Sequence, residues 1–273
     1  KVAPPGYPDY LGWDYESPFR GMMIRQTLKS KEKLSPEDFI KLQNENLDLQ
    51  AKMVLPLLLK HTTEEADQVW LQRLRAWDYR IRSGTAEPAV VRAWWRATKE
   101  ALFMDELGSS AVLLPKDQRV IWMLEKLDAN PGDPDVKWVD NINTKDHVES
   151  LDEVITGALE EALKKLESEQ GRNAEAWNWT NLNRTQFTHA GRIPGLGTSV
   201  MAMDGSPDSV RGQNGGHGAV YKSVVQTGDW PRAWIQVPGG NEGDPLSPGY
   251  GRFVKEWAQG GMREAEFYRT AEE

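Results

Sequence analysis

Asp146–Gln170 reads DHVESLDEVITGALEEALKKLESEQ and is followed by Gly171. Leu151, Val154, Ile155, Leu159, Leu163 and Leu166 fall on one face of a helix, and acids crowd its first turns. Gly171 ends the pattern. Upstream of this stretch the apolar residues recur at helical spacing. Downstream, glycine becomes frequent and the period falls towards two. A helical block followed by antiparallel strands reads as an α+β chain.

Working towards the N-terminus, Gln118 to Leu127 is a further helix, separated by the turn cluster Asn130-Pro131-Gly132-Asp133-Pro134. Pro88 opens a helix through Val91, Trp94, Trp95, Leu102, Phe103 and Leu107, with Gly108 as its C-cap. Another runs from about Glu64 to Trp77. Ser35-Pro36-Glu37-Asp38 gives an N-cap, a first-turn proline and two acids. The apolar stripe behind it, from Phe39 to Leu58, is mostly helical, and Pro56 is expected to kink or end it. Arg20 to Lys31 is helical through Met23, Ile24 and Leu28. Lys1 to Phe19 is an extended loop rich in Pro, Gly and Tyr.

Towards the C-terminus, Gly218 to Gln226 and Ala233 to Val237 form a hairpin turning at Gly228-Asp229, and Tyr250 to Gln259 is a helix. The organisation expected is a loop over 1–19, a mainly helical segment over 20–170 and a strand-rich segment over 171–273.

The chain has 273 residues, 33 Lys plus Arg against 41 Asp plus Glu, and a net charge of -8. That balance, with no basic cluster, argues against nucleic acid as a partner. The absence of cysteine removes disulfides and thiolate metal sites. The longest apolar run, Val54 to Leu59, is too short to span a membrane. Lys1-Val2-Ala3-Pro4-Pro5 has neither a Met nor an apolar signal core and reads as a cut end. The twelve tryptophans sit mostly at helical spacing and read as core anchors needing partners for their indole N–H groups.

The local motifs exclude more than they assign. Lys222-Ser223 lacks the preceding glycine and following helix of a phosphate loop, and Gly195-Leu196-Gly197 lacks the third glycine of a dinucleotide turn. His61, His147, His189 and His217 are scattered, without zinc-ligand spacing. A Ser–His–Asp triad stays open, although no Gly-x-Ser-x-Gly elbow is present. Asp9, Asp14 and Glu16, on irregular backbone, suit calcium or a solvated acidic loop.

Ordered segments along the chain resemble the penicillin acylases and their homoserine-lactone acylase relatives. They are Tyr10-Leu11-Gly12-Trp13-Asp14, Pro18-Phe19-Arg20, Leu34 to Phe39, Leu49-Gln50-Ala51, Trp77-Asp78, Ala93-Trp94-Trp95, Trp177-Asn178-Trp179 and Phe187-Thr188-His189. The most specific is Pro238-Gly239-Gly240-Asn241-Glu242-Gly243-Asp244-Pro245-Leu246-Ser247-Pro248.

The resemblance implies the C-terminal part of the β-chain of an αββα N-terminal-nucleophile hydrolase, periplasmic or secreted. Such a parent cleaves the side-chain amide of a β-lactam or an N-acyl homoserine lactone, and so belongs to antibiotic metabolism. Its nucleophile is a serine whose own α-amine, with pKa ~8, is the base. Position 1 here is Lys, so that serine and the oxyanion asparagine are expected upstream, and the isolated chain is expected to be inactive.

Carried over by the resemblance are Arg20, which supports the asparagine and the substrate, and Asp9, a calcium ligand. No cofactor is required for the chemistry, and a structural calcium is implied for the parent. Its partners are the α-chain, the N-terminal part of the β-chain and a small acyl-amide substrate. In this reading the Trp-rich helices wall the acyl pocket. Asn183 stands where many relatives have His, and the loop Asp204 to Gly216 departs from the family pattern, leaving acyl preference open. The alternative is a non-catalytic acylase-derived module that binds a partner chain.

Overall fold

The computed structural model describes residues 6–10, 12, 16–108, 114–212, 218–228, 232–266, 268 and 270. Its helices are α1 (Phe19–Lys29), α2 (Pro36–Gln43), α3 (Leu49–Lys60), α4 (Gln68–Arg75), α5 (Glu87–Leu107), α6 (Asp117–Ala129), α7 (Leu151–Gln170), α8 (Trp179–Leu182) and α9 (Val254–Gln259). The strands are β1 (Lys222–Gln226), β2 (Arg232–Gln236) and β3 (Arg263–Ala265). This is the expected α+β order, a helical block followed by antiparallel strands. The chain divides into two compact units: Lys1–Phe19 with Asp48–Arg80 and Gly84–Asn181, and Arg20–Leu47 with Ile81–Ser83 and Leu182–Glu273.

The first unit is helical, and α5 and α7 pack most extensively in it. Trp94 is fully buried on α5, as are Ile155 and Leu159 on α7. The Trp94 indole N–H donates to the Ile155 carbonyl at 2.9 Å, so a large apolar ring enters the core without an unpaired donor. Trp95 donates to Asp117 at 2.9 Å. Trp70 and Trp177 stack at 5.6 Å, and Trp177 donates to the Gly171 carbonyl. These tryptophans are core anchors, as their spacing suggests. Trp94 and Trp95 are at most 4% exposed.

The helix that divides the sequence starts later than its charge pattern implies. Ser150 is the N-cap, in a reciprocal capping box with Glu153. Residues 146–150 belong to the preceding loop. There Glu149 accepts from the Asn141 N–H and the Thr144 hydroxyl, which hold its carboxyl down at about 2. Pro56 neither ends α3 nor starts a new helix. It is exposed, so the carbonyl it leaves without an N–H partner is on the solvent side. The long stripe breaks instead at 44–48, where Asp48 caps α3 by accepting from the Ala51 N–H.

In the second unit α2 packs on β1, and the Gln43 side-chain amide donates to the Ser223 carbonyl at 2.9 Å. The sheet order is β1-β2-β3, antiparallel throughout, with Val224 opposite Trp234 and Trp234 opposite Glu264. β3 has no apolar alternation for a reader to find. A bidentate Arg232–Glu264 pair at 2.6 and 2.8 Å helps hold it. The expected helix over 250–259 is shortened to α9 by a turn over 249–253. In the Gly-rich block, a Cβ on Gly240 would collide with the Gly249 carbonyl oxygen. Only glycine lets those two backbones approach so closely.

Replacing Leu159 with Ala should lower stability by about 3 kcal/mol, because a fully buried side chain leaves a cavity. Val148→Ala, 75% exposed, should stay within about 0.5 kcal/mol. Urea unfolding of both variants checks the contrast.

Candidate functional site

Arg20 sits in the first turn of α1, exposed to solvent. Its guanidinium lies beside Gly212, where an added methyl would stand 3.2 Å from Nη1. That contact places it at the end of a tightly built loop, Asp204–Gly212.

The loop is pinned by backbone hydrogen bonds. Gly205 N–H donates to the Ile81 carbonyl at 3.0 Å and Arg211 N–H to the Glu45 carbonyl at 3.0 Å. Asp204 accepts from the Ser83 N–H at 2.9 Å. Inside the loop, Ser206 and Ser209 are buried and bonded to each other: the Ser206 N–H donates to Ser209 Oγ at 2.9 Å. Gly205 has φ +93°, and a Cβ there would meet Arg211 Cβ at 3.0 Å. A side chain at 205 would therefore both strain the backbone and displace Arg211.

Arg211 is held 8% exposed by this scaffold. One Nη donates to the Ala258 carbonyl, the other stands 4.0 Å from Asp204, and Nε is buried without a hydrogen-bond partner. Burial pushes its pKa down, and the Asp204 charge opposes that shift. Lys222, the first residue of β1, adds a second cation. Its ammonium makes one long bond, 3.5 Å, to the Gln43 carbonyl. Burial, and then repulsion from Arg211, push its pKa down to about 8.

The residues singled out from sequence fare differently. Arg20 stands beside Gly212, at the end of the Asp204–Gly212 loop. Asp9 lies in the other unit, exposed. Asp14 falls outside the described residues. Among the described residues no three His, Asp or Glu side chains come together as metal ligands. No step is derived through calcium.

His61 has both ring nitrogens engaged, Nδ1 with Asp152 at 2.6 Å and Nε2 with Asp128 at 3.2 Å. It ties helix ends together and leaves no nitrogen for a serine. His217 lies outside the described residues. A cleft of about 400 Å³ in the first unit is lined by Glu16, Arg96, Lys99 and Asp117. Its cations already have partners, Lys99 with Asp117 at 2.5 Å and Arg96 with Glu100 at 2.8 Å.

Sequence reasoning missed Arg211 and Lys222. One signal was available: Lys222 shares its strand face with buried Val224, so a lysine sits on the inward register of a strand.

With this geometry established, comparison places the chain. Its structure is similar to that of a thermostable penicillin G acylase from Alcaligenes faecalis, with a TM-score of 0.62 at 17% identity. The match covers 95% of this chain and 52% of that one, so the chain spans about half the length of the solved protein. That likeness defines the fold as an α+β fold shared with an acylase. No curated protein matches the sequence significantly. The sequence model of the family described as Penicillin amidase matches residues 1–273. The chain belongs to the penicillin amidase family.

Lys222→Met should stabilise the protein at pH 7, by about 1 kcal/mol once partial exposure is allowed for. The folded lysine releases its proton near pH 8, the unfolded one near 10.5. Between those values the unfolded state binds more protons, so wild-type stability rises with pH and the variant's advantage shrinks. Urea titrations at pH 7 and pH 10 measure the difference. An advantage that stays constant would show that Lys222 is not held in a charge-disfavouring site.

Proposed function

We propose that these residues supply the C-terminal half of a penicillin-acylase-type amidohydrolase, with the nucleophilic serine and the oxyanion asparagine contributed by residues outside them. The observation that carries this reading is the family match over the whole chain. The 52% share of the related acylase's chain supports the view that further segments take part. The substrate class is an acylated amine, a β-lactam side-chain amide or an N-acyl homoserine lactone. Placement in the periplasm or outside the cell belongs to the same reading.

The chemistry follows from the family's nucleophile. The serine hydroxyl attacks the amide carbonyl while its own α-amine, with pKa ~8, takes the proton. Negative charge grows on the carbonyl oxygen, and a positioned donor there is worth about a hundred- to a thousand-fold in rate. Arg20 is the residue of this chain assigned to that region. Its guanidinium is planar, always charged and offers a fixed fork of donors. Its location beside Gly212, where the Asp204–Gly212 loop ends, suits a positioning residue.

One observation favours the second reading, a non-catalytic module that binds a partner chain. On α1, Met22, Ile24 and Leu28 are 37%, 37% and 41% exposed. Unburied apolar side chains gathered on one helix are a feature of surfaces that another chain covers.

In the full-length protein, Arg20→Ala should lower kcat/KM for an acyl amide roughly ten- to a hundred-fold, about 1.4–2.7 kcal/mol of transition-state stabilisation. Arg252→Ala, an exposed residue beside Phe253, should leave it unchanged. Equal effects would remove Arg20 from the site. The isolated 273-residue chain should release no acid from penicillin G or an N-acyl homoserine lactone, and steady turnover by it would sink the placement of the nucleophile elsewhere. A full-length protein that hydrolyses neither would favour the second reading.

A further inference from the structure

We propose that His61 is a proton-operated latch: with both ring nitrogens protonated it ties the end of α3 to α6 and α7, and on losing one proton it keeps α7 and releases α6. His61 caps the C-terminus of α3, and its side chain is 16% exposed. Nδ1 stands 2.6 Å from Asp152 Oδ1 on α7, and Nε2 stands 3.2 Å from Asp128 Oδ1 on α6. Both partners are carboxylates, which when ionised only accept. A neutral imidazole has one N–H and one lone pair, so it serves one carboxylate and turns its lone pair on the other. The charged ring serves both.

The two carboxylates differ in what else holds them. Asp152 lies in the first turn of α7, where the helix dipole favours a negative charge. Asp128 is the second-last residue of α6, where the dipole disfavours one. Lys60, and then His61, hold the Asp128 carboxyl below its usual range, and both cations come from the end of α3. The charged groups facing the ring are therefore Asp152 from α7 and Asp128 from α6, with Lys60 of α3 bonded to the same Asp128 oxygen.

The partner released on deprotonation follows from this asymmetry. The contact to Asp152 is the shorter one. Among the described residues no other cation pairs with Asp152, whereas Asp128 keeps Lys60. A neutral ring thus retains its proton on Nδ1. Its Nε2 lone pair then faces a carboxylate oxygen, and two acceptors repel. Asp128 moves onto Lys60 alone, and the last turn of α6 loses one of its two ties to α3. The join to α7 persists, because the Thr63 N–H also donates to Thr156 Oγ1 at 2.9 Å.

The test uses the whole 273-residue chain and no substrate, so its outcome does not depend on the proposed hydrolase activity. Nitrogen-15 NMR of the His61 ring reads which nitrogens carry protons, and hydrogen exchange reads the α6 amides, each at pH 5 and pH 9. At pH 5 both ring nitrogens should be protonated. At pH 9 the ring should be the Nδ1–H tautomer. Protection of the Leu127–Ala129 amides, corrected for intrinsic rate, should then be about tenfold lower than at pH 5, as for loss of one hydrogen bond to a charged group. His61→Gln, which offers an uncharged donor and does not titrate, should protect these amides equally at both values. In Asp152→Asn the neutral ring loses its charged acceptor at Nδ1 and should move its proton to Nε2. An Nε2–H tautomer in the wild type at pH 9 would refute the retained partner. Equal protection of α6 at the two pH values, or the same change in His61→Gln, would overturn the latch.

Discussion

Buried backbone groups must be paired, and in the second unit regular ladders are too few to do it. Its strands are short, and most of 182–221 is irregular. The replacements are single hydrogen bonds between distant loops: Ile81 N–H to Asn46, Gly205 N–H to Ile81, Arg211 N–H to Glu45 and Met201 N–H to Thr185. Each joins segments far apart in sequence. Together they fix the path of the Asp204–Gly212 loop, and that path determines where Arg211 is buried and what Arg20 stands beside.

The same constraint explains which residues can change. Gly205 is confined twice over, by its φ of +93° and by Arg211 Cβ. Ser206 and Ser209 are consumed by their own turn and have no hydroxyl to spare for chemistry. Their burial reads as scaffold. What the scaffold presents is charge: Asp204 held by the Ser83 N–H, Arg211 by Glu45 and Ala258, and Lys222 by the strand.

Much of the helical unit was legible because its signals are local. In the other unit, Ser35 was read as the N-cap of α2, and the structure adds the reciprocal bond from Asp38; the Ser150–Glu153 capping box was passed over. The α5 boundaries, from Pro88 to Gly108, follow from proline and glycine chemistry. Errors arose where a local pattern was overruled. Acids before Ser150 looked like a first helical turn, but Glu149 instead closes a loop onto Asn141 and Thr144. Pro56 was expected to kink or end its helix, and α3 runs through it to Lys60, because on an exposed face the proline costs one hydrogen bond. β3 was invisible because three residues carry no period, and its partner strand supplies the information.

The site was legible only in the part that a family pattern carries. Arg20 came from the resemblance. Arg211 and Lys222 could not, since nothing local distinguishes them from solvated cations. They matter through a relation between positions 11 residues apart in an irregular segment and an edge strand, which only three dimensions display. That relation also separates two roles that one charge count would merge. Arg20 is exposed and free to meet a partner or substrate from outside the loop. Arg211 is 8% exposed, so the cost of desolvating it was settled when the chain folded.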